Sequence, residues 1–136
     1  MIYIEYQERY VFGWIYFKQQ KGSDGMSIAS DLIRGHTETI IIAQLLKKDS
    51  YGYEINKSIL LKTSNKYELK EATLYTAFRR LEQQGLIVSY WGDEQTGARR
   101  RYYKITNLGR ETYAGLVSDW RTAKVLLDKL IETEEN

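Results

Sequence analysis

Cysteine is absent from the 136 residues, and histidine occurs once, at His36. The first absence removes disulfides, a thiolate metal site and a cysteine nucleophile, and it fits a reducing compartment. The second leaves no set of imidazoles for a metal centre or a catalytic triad. Paired carboxylates, a phosphate-cradling glycine loop and a nucleophile–base set are lacking too. The chain therefore reads as a non-enzyme, with no cofactor and no metal expected. Internal repeats and low-complexity segments are also missing. What is present is the balance of an ordinary folded domain, 43% hydrophobic and 28% charged, long enough to bury one core without covalent staples.

The first 25 residues stand apart. Ile2 to Phe17 is aromatic-rich and roughly strand-like, and it runs into the flexible Lys21-Gly-Ser-Asp-Gly. This segment is too short and too charged to cross a membrane, and it lacks the basic start and long apolar core of a signal peptide. No membrane partner is expected, and a cytoplasmic location is. Two readings stay open for residues 1–25. Lys21-Gly22 can be encoded by a purine-rich stretch, such as a bacterial ribosome-binding site, a short way upstream of Met26, which would make Met26 the natural start. Alternatively the segment is an extra strand or arm.

From about Ser30 to Lys48, the residues Leu32, Ile33, Ile40, Ile41, Ile42, Leu45 and Leu46 predict a helix with a broad apolar face. Ser50 is the expected cap of a second helix from Tyr51 to about Lys62, in which Ile55 and Ile59 lie one turn apart. Thr63-Ser-Asn-Lys reads as a turn. A third helix places Leu74, Phe78 and Leu81 on its inner face, and Gly85 stops it with Leu86 set for a capping contact. Ile87-Val-Ser-Tyr-Trp follows as a strand, then a polar loop bounded by Gly92 and Gly97, then a second strand opened by Arg99, Arg100 and Arg101. Thr106 is the expected N-cap of a final helix reaching about Thr133. Along it Tyr113, Leu116, Val117, Trp120, Ala123, Leu127, Leu130 and Ile131 recur at steps of three and four, a seam for another helix. The natural partner for that seam is a second copy of the chain.

Helix, strand, basic-tipped turn, strand is the order of a winged-helix DNA reader. The fold expected is mainly α with a small β-hairpin: a winged helix-turn-helix over 26–106 and a C-terminal dimerisation helix over 107–136. Charge agrees. Between Lys66 and Arg110 nine Lys/Arg face five Asp/Glu, whereas from Glu111 to Asn136 three face six. A basic middle suits a polyanion. On the polar face of the third helix lie Ala72, Thr73, Thr76, Arg79, Arg80 and Gln83, small residues for close approach and Arg or Gln to read purines. Arg99, Arg100 and Arg101 are the phosphate candidates of the hairpin. A protein–protein adapter working through the same hairpin remains the alternative.

At these residues the chain resembles the PadR family of bacterial transcriptional regulators, from about Leu32 to Glu132. The motifs are Tyr51-Gly-Tyr-Glu-Ile, Glu71-Ala-Thr-Leu-Tyr, Arg80-Leu-Glu-Gln-Gln-Gly-Leu-Ile and Tyr90-Trp-Gly-Asp-Glu. Gly97-Ala-Arg-Arg-Arg-Tyr-Tyr-Lys-Ile-Thr and Leu108-Gly-Arg-Glu continue them. A single long C-terminal helix is similar to the short-tailed subfamily, that of the lactococcal multidrug-resistance regulator. The resemblance implies a homodimeric repressor on a pseudo-palindromic double-stranded operator, with Ala72–Arg80, Tyr75 among them, as recognition helix. It implies Gly92–Arg101, including Thr96 and Gly97, as wing. It also implies a planar aromatic effector held at the dimer centre by Trp120. The neighbours of that site would be Tyr113, Leu116, Val117, Lys124 and Leu127, faced by Thr39, Ile42 and Ala43. One departure is Lys124, one turn after Trp120, where a cavity for lipophilic cations wants a carboxylate. Asp119 and Asp128 lie nearby, and neutral or anionic planar ligands become admissible. Residues 1–25 have no counterpart in the family pattern.

Overall fold

The computed structural model of the chain describes residues 32–93 and 99–134. The extension over 1–25, the Met26 start, the helix start at Ser30, and Thr96 and Gly97 lie outside the described residues.

The first apolar run forms a shorter helix than its periodicity implies. A 3₁₀ turn, Arg34–His36, leads into α1, Thr37–Leu45. His36 leaves helical geometry at φ −111° and ψ 14°, and the Thr37 hydroxyl closes the turn by donating to the Arg34 carbonyl at 2.8 Å. Ile41, Ile42 and Leu45 are fully buried, while Lys47 and Lys48 are exposed as the chain leaves the helix.

Helix α2 spans Gly52–Lys62. Ser50 does not cap it. Tyr51 occupies the N-cap position without a side-chain cap bond, and Ser50 instead pairs its backbone with Tyr103, N–H to carbonyl at 3.2 Å and the reverse at 2.8 Å. The backbone bridge to Tyr103 thus won over the capping position. Gly52 lets α2 lie close to the next helix: a Cβ there would sit 3.3 Å from both Leu74 Cδ2 and Tyr75 Oη. The turn after α2 carries Ser64 and Asn65 at φ 52° and 64°, which short polar side chains tolerate.

Buried Asn56, on the inner side of α2, locks that turn. Its amide donates to the Leu69 carbonyl and accepts from the Leu69 N–H, both at 2.8 Å. Both groups would otherwise be unsatisfied in the core. Helix α3, Glu71–Gln83, starts directly after this anchor. Leu74, Phe78 and Leu81 are buried as the stripe predicts. At its end Leu86 N–H bonds Leu81 O, Gly85 N–H bonds Glu82 O, both at 3.0 Å, and Gly85 takes φ +74°. This is a Schellman stop with its apolar contact between Leu81 and Leu86.

Strands β1, Ile87–Asp93, and β2, Arg99–Ile105, pair antiparallel with Ile87 opposite Ile105 and Asp93 opposite Arg99. Their buried ends close the core, where Phe78 stacks on Tyr103 at 3.8 Å. The Thr106 hydroxyl then serves two elements. It accepts from Gly109 N–H at 3.0 Å as N-cap of α4, Asn107–Ile131, and donates to Gly85 O at 2.7 Å. Gly109 is the one buried residue of α4 and rests on the Leu86 carbonyl.

At 25 residues α4 is roughly 37 Å long, and only its first part packs on the core, through Tyr113 and Leu116. Beyond that, Trp120, Val125, Leu126, Leu127, Leu130 and Ile131 are 43–75% exposed. Among the described residues no helix is long and apolar enough to cross a membrane.

Candidate nucleic-acid interface

Because Leu74, Phe78 and Leu81 hold one face of α3 inward, the opposite face is turned outward by helical geometry alone. Ala72, Thr76, Arg79, Arg80 and Gln83 are exposed, and Thr73 is half-buried. Tyr75 lies on the flank, half-buried, with its ring edge-on to Phe78 at 5.8 Å between centroids. Arg79 has no ion pair among the described residues, whereas Arg80 Nε lies 3.2 Å from Glu38 Oε1 of α1. Between the two helices a cavity of about 340 Å³ is lined by Arg34, Thr37, Glu38, Thr73, Thr76 and Arg80, among others. At the start of α3, burial pushes the Glu71 carboxyl above the usual carboxylate range.

The hairpin is held against α3 by a polar cluster that the sequence patterns do not announce. Arg101 reaches Ser89 Oγ at 2.8 Å and Glu82 at 3.6 Å, and Ser89 Oγ donates to Glu82 at 3.2 Å. The strand register creates this grouping, since Ser89 and Trp91 share a face with their partners Tyr103 and Arg101. Arg101 is therefore a brace between wing and helix as much as an outward cation. On the same face Trp91 lies between two guanidinium groups, 5.3 Å from Arg99 and 5.9 Å from Arg101. Cation–π contacts of this kind are each worth about 0.5–1 kcal/mol at exposed sites.

On the other face, Arg100 stands over the Tyr51 ring at 4.8 Å, and Tyr102 meets Tyr51 edge-on and stacks on Tyr90. Tyr90 donates to Asp49 at 2.6 Å, and that bond, helped by desolvation and the carboxylate charge, pushes its hydroxyl up to about 12. Gly92 makes room for the Tyr102 ring, which a Cβ there would strike. Three basic residues are thus presented on both sides of one hairpin by aromatic supports. Glu38, Asp49, Glu82, Ser89 and Tyr90 escape sequence reasoning because their partners lie far off in the chain. The one available signal, Trp91 opposite Arg101, needs the register.

The residues expected around Trp120 are only partly gathered. Trp120 meets the His36 ring edge-on, 5.0 Å between centroids, which joins α4 to the turn before α1. Val117, Thr39 and Ala43 are half-buried, Lys124 and Leu127 are exposed, and Tyr113 and Leu116 lean on the core. Ile42 is fully buried in the core of the chain and offers it no surface.

Comparison with known proteins accords with this arrangement. The model of the transcriptional regulator PadR-like family matches residues 41–115, just over half of the chain. A transcriptional regulator from Clostridium thermocellum is 47% identical, with 75% of this chain and 99% of that one covered and a TM-score of 0.69. A PadR family transcriptional regulator from Eggerthella lenta is 31% identical, with 79% and 91% covered and a TM-score of 0.68. A protein of Lysinibacillus sphaericus of no stated function is 45% identical over 105 residues, 77% of this chain and 96% of its own. This chain thus belongs to the PadR-like family of DNA-binding transcriptional regulators, and it is not an enzyme.

Proposed function

We propose that the protein is a homodimeric repressor whose two α3 helices read successive major grooves of a pseudo-palindromic operator. In this reading Ala72, Thr73, Thr76, Arg79 and Arg80 face base edges, with Tyr75 at the flank. Arg99 and Arg100, with Thr96 and Gly97 of the loop, meet the backbone beside them, and Arg101 does so while bracing the wing. Half-sites one helical turn, roughly 34 Å, apart would match such a dimer.

One observation carries the dimer. Six large apolar side chains between Trp120 and Ile131 are about half exposed or more on a helix that outruns the core beneath it. Four of them, Trp120, Leu127, Leu130 and Ile131, share one side of the helix, an exposed apolar stripe that calls for a partner, and their heptad-like spacing suits another helix. A second α4, packed against α1, is the occupant we favour, and this fits the short-tailed branch of the family.

An effector then has a natural place. In a dimer the two Trp120 rings would flank the axis, with Val117, Lys124, Leu127, Thr39 and Ala43 around them. Tyr113 and Leu116 would form the floor, and Ile42 lies too deep to take part. A planar aromatic molecule there shifts the protein away from its DNA-binding geometry only if it binds the two geometries with different affinity. With Lys124 beside it, a neutral or anionic molecule is admissible.

The test combines sedimentation with dye binding. The reading predicts a dimer, quenching of Trp120 fluorescence by a planar dye, and release of DNA by that dye. Trp120→Ala should lose the dye response and keep DNA binding. A monomer at micromolar concentration, or a Trp120→Ala protein that still responds, would refute it.

A further inference from the structure

Arg80 differs from its neighbour Arg79 in one respect: a carboxylate from another helix stands behind it. Glu38 Oε1 lies 3.2 Å from Arg80 Nε, with the Glu38 side chain 30% exposed and that of Arg80 65% exposed. The contact is at Nε, and the Arg80 side chain is 65% exposed, so its guanidinium is accessible to a ligand that matches its fork, such as guanine O6 and N7 or a phosphate.

Glu38 is itself held in place. It belongs to the first turn of α1, where Thr37 is pinned to the Arg34 carbonyl at 2.8 Å and Ile41 and Ile42 are fully buried. Its Oε1 is buried, yet no hydrogen bond reaches it among the described residues, so the Arg80 contact is close but not yet directed. A buried acceptor without a directed hydrogen bond calls for an explanation. The cavity of about 340 Å³ beside it is lined by reading-face residues Ala72, Thr73, Thr76 and Arg80.

We infer that Glu38 is a specificity-determining residue that acts through Arg80. It anchors the root of the side chain so that the fork is offered in one direction, and the contact closes into a directed hydrogen bond when Arg80 engages a base. Its negative charge also disfavours a passing phosphate, a repulsive element that sharpens choice among sequences. Arg79 has no ion pair of this kind among the described residues, so its approach to a base edge is less fixed. This inference rests on the DNA-reading role proposed for α3.

Selection from a random duplex library tests it. Wild-type protein, Glu38→Gln, Glu38→Asp, Arg80→Ala and Arg79→Ala would each be run, with thermal unfolding measured on all five. The expected result is a two-fold symmetric motif for wild type. Arg80→Ala should lose preference at one symmetric position, by about tenfold, a good bidentate contact. Glu38→Gln should lose the same position while binding scrambled DNA as well as wild type or better. Glu38→Asp keeps the charge but falls short of Arg80 and should lose that position too, at near-normal stability. Arg79→Ala should keep it. Unchanged motifs for both Glu38 variants, or loss at a position other than that of Arg80→Ala, overturn the inference. No enriched motif for wild type overturns the DNA-reading role itself.

Discussion

Replacing Asn56 with alanine should be among the most damaging single changes in the chain, although the residue touches neither candidate site. Its side-chain amide makes two 2.8 Å bonds to Leu69, and Asn56 itself is 4% exposed. Removing it leaves the Leu69 N–H and carbonyl unsatisfied where water has little access. Each orphaned group costs about 1–3 kcal/mol, so a loss of roughly 2–4 kcal/mol is expected once the overlap between the two is allowed for. For a chain of this size that lowers Tm by about 7–14 °C. Urea unfolding at fixed protein concentration measures it as a fall in the midpoint at unchanged slope. Asn56→Asp refines the argument, because it keeps the acceptor for Leu69 N–H but sets a carboxylate against the Leu69 carbonyl. It should be nearly as unstable at neutral pH and recover in part as acid protonates it. A loss below about 1 kcal/mol for Asn56→Ala would refute the claim that this amide anchors the entry to α3.

Three further outcomes follow from the same geometry. Thr106→Ala removes both the α4 cap and the link to Gly85 and should cost about 1–2 kcal/mol by chemical unfolding, whereas Thr106→Ser should cost far less. Gly109→Ala drives a methyl group into the Leu86 carbonyl and toward Ile105 Cγ1 at 2.8 Å, and overpacking of this kind costs about 1–3 kcal/mol or more. Tyr90 has a raised folded-state value of about 12, so its bond to Asp49 stabilises fully below the ordinary tyrosine range near 10. That contribution is lost as pH climbs from there towards 12. Ultraviolet titration of phenolate should show Tyr90 among the late tyrosines, beside Tyr67, whose hydroxyl burial also pushes up, and Asp49→Ala should return Tyr90 alone towards the ordinary range.

What could be read from the sequence divides along physical lines. The Leu74, Phe78, Leu81 stripe, the Gly85–Leu86 stop and the Thr106 cap depend on residues within one or two turns of each other. Local chemistry decides those, and the structure carries all three. The extent of α1 was not legible, because an apolar period runs unbroken through a 3₁₀ turn as easily as through an α-helix. Ser50 satisfied the composition rule for a cap, but its backbone was claimed by Tyr103, which lies far along the chain. The same holds for Glu38 with Arg80, Asn56 with Leu69 and Asp49 with Tyr90: each pair exists only once the helices and hairpin have docked. At the candidate interface the cations were legible, and the carboxylates and aromatic rings that aim them were not. The broad seam of α4 was legible as an apolar repeat, and the structure leaves its second half uncovered.

The central claim is that α3 and the wing hold DNA by neutralising its phosphates while reading its bases. Fluorescence anisotropy across a salt series tests it most directly, on the duplex enriched by selection and on a scrambled one. Wild type would be set against a protein in which Arg79, Arg99 and Arg100 are all alanine. The account predicts tight, sequence-dependent binding for wild type and a log–log salt slope of several units. The slope should shrink by nearly one unit for each phosphate contact removed. Equal weak binding to both duplexes, or a slope that the triple replacement leaves untouched, would contradict it.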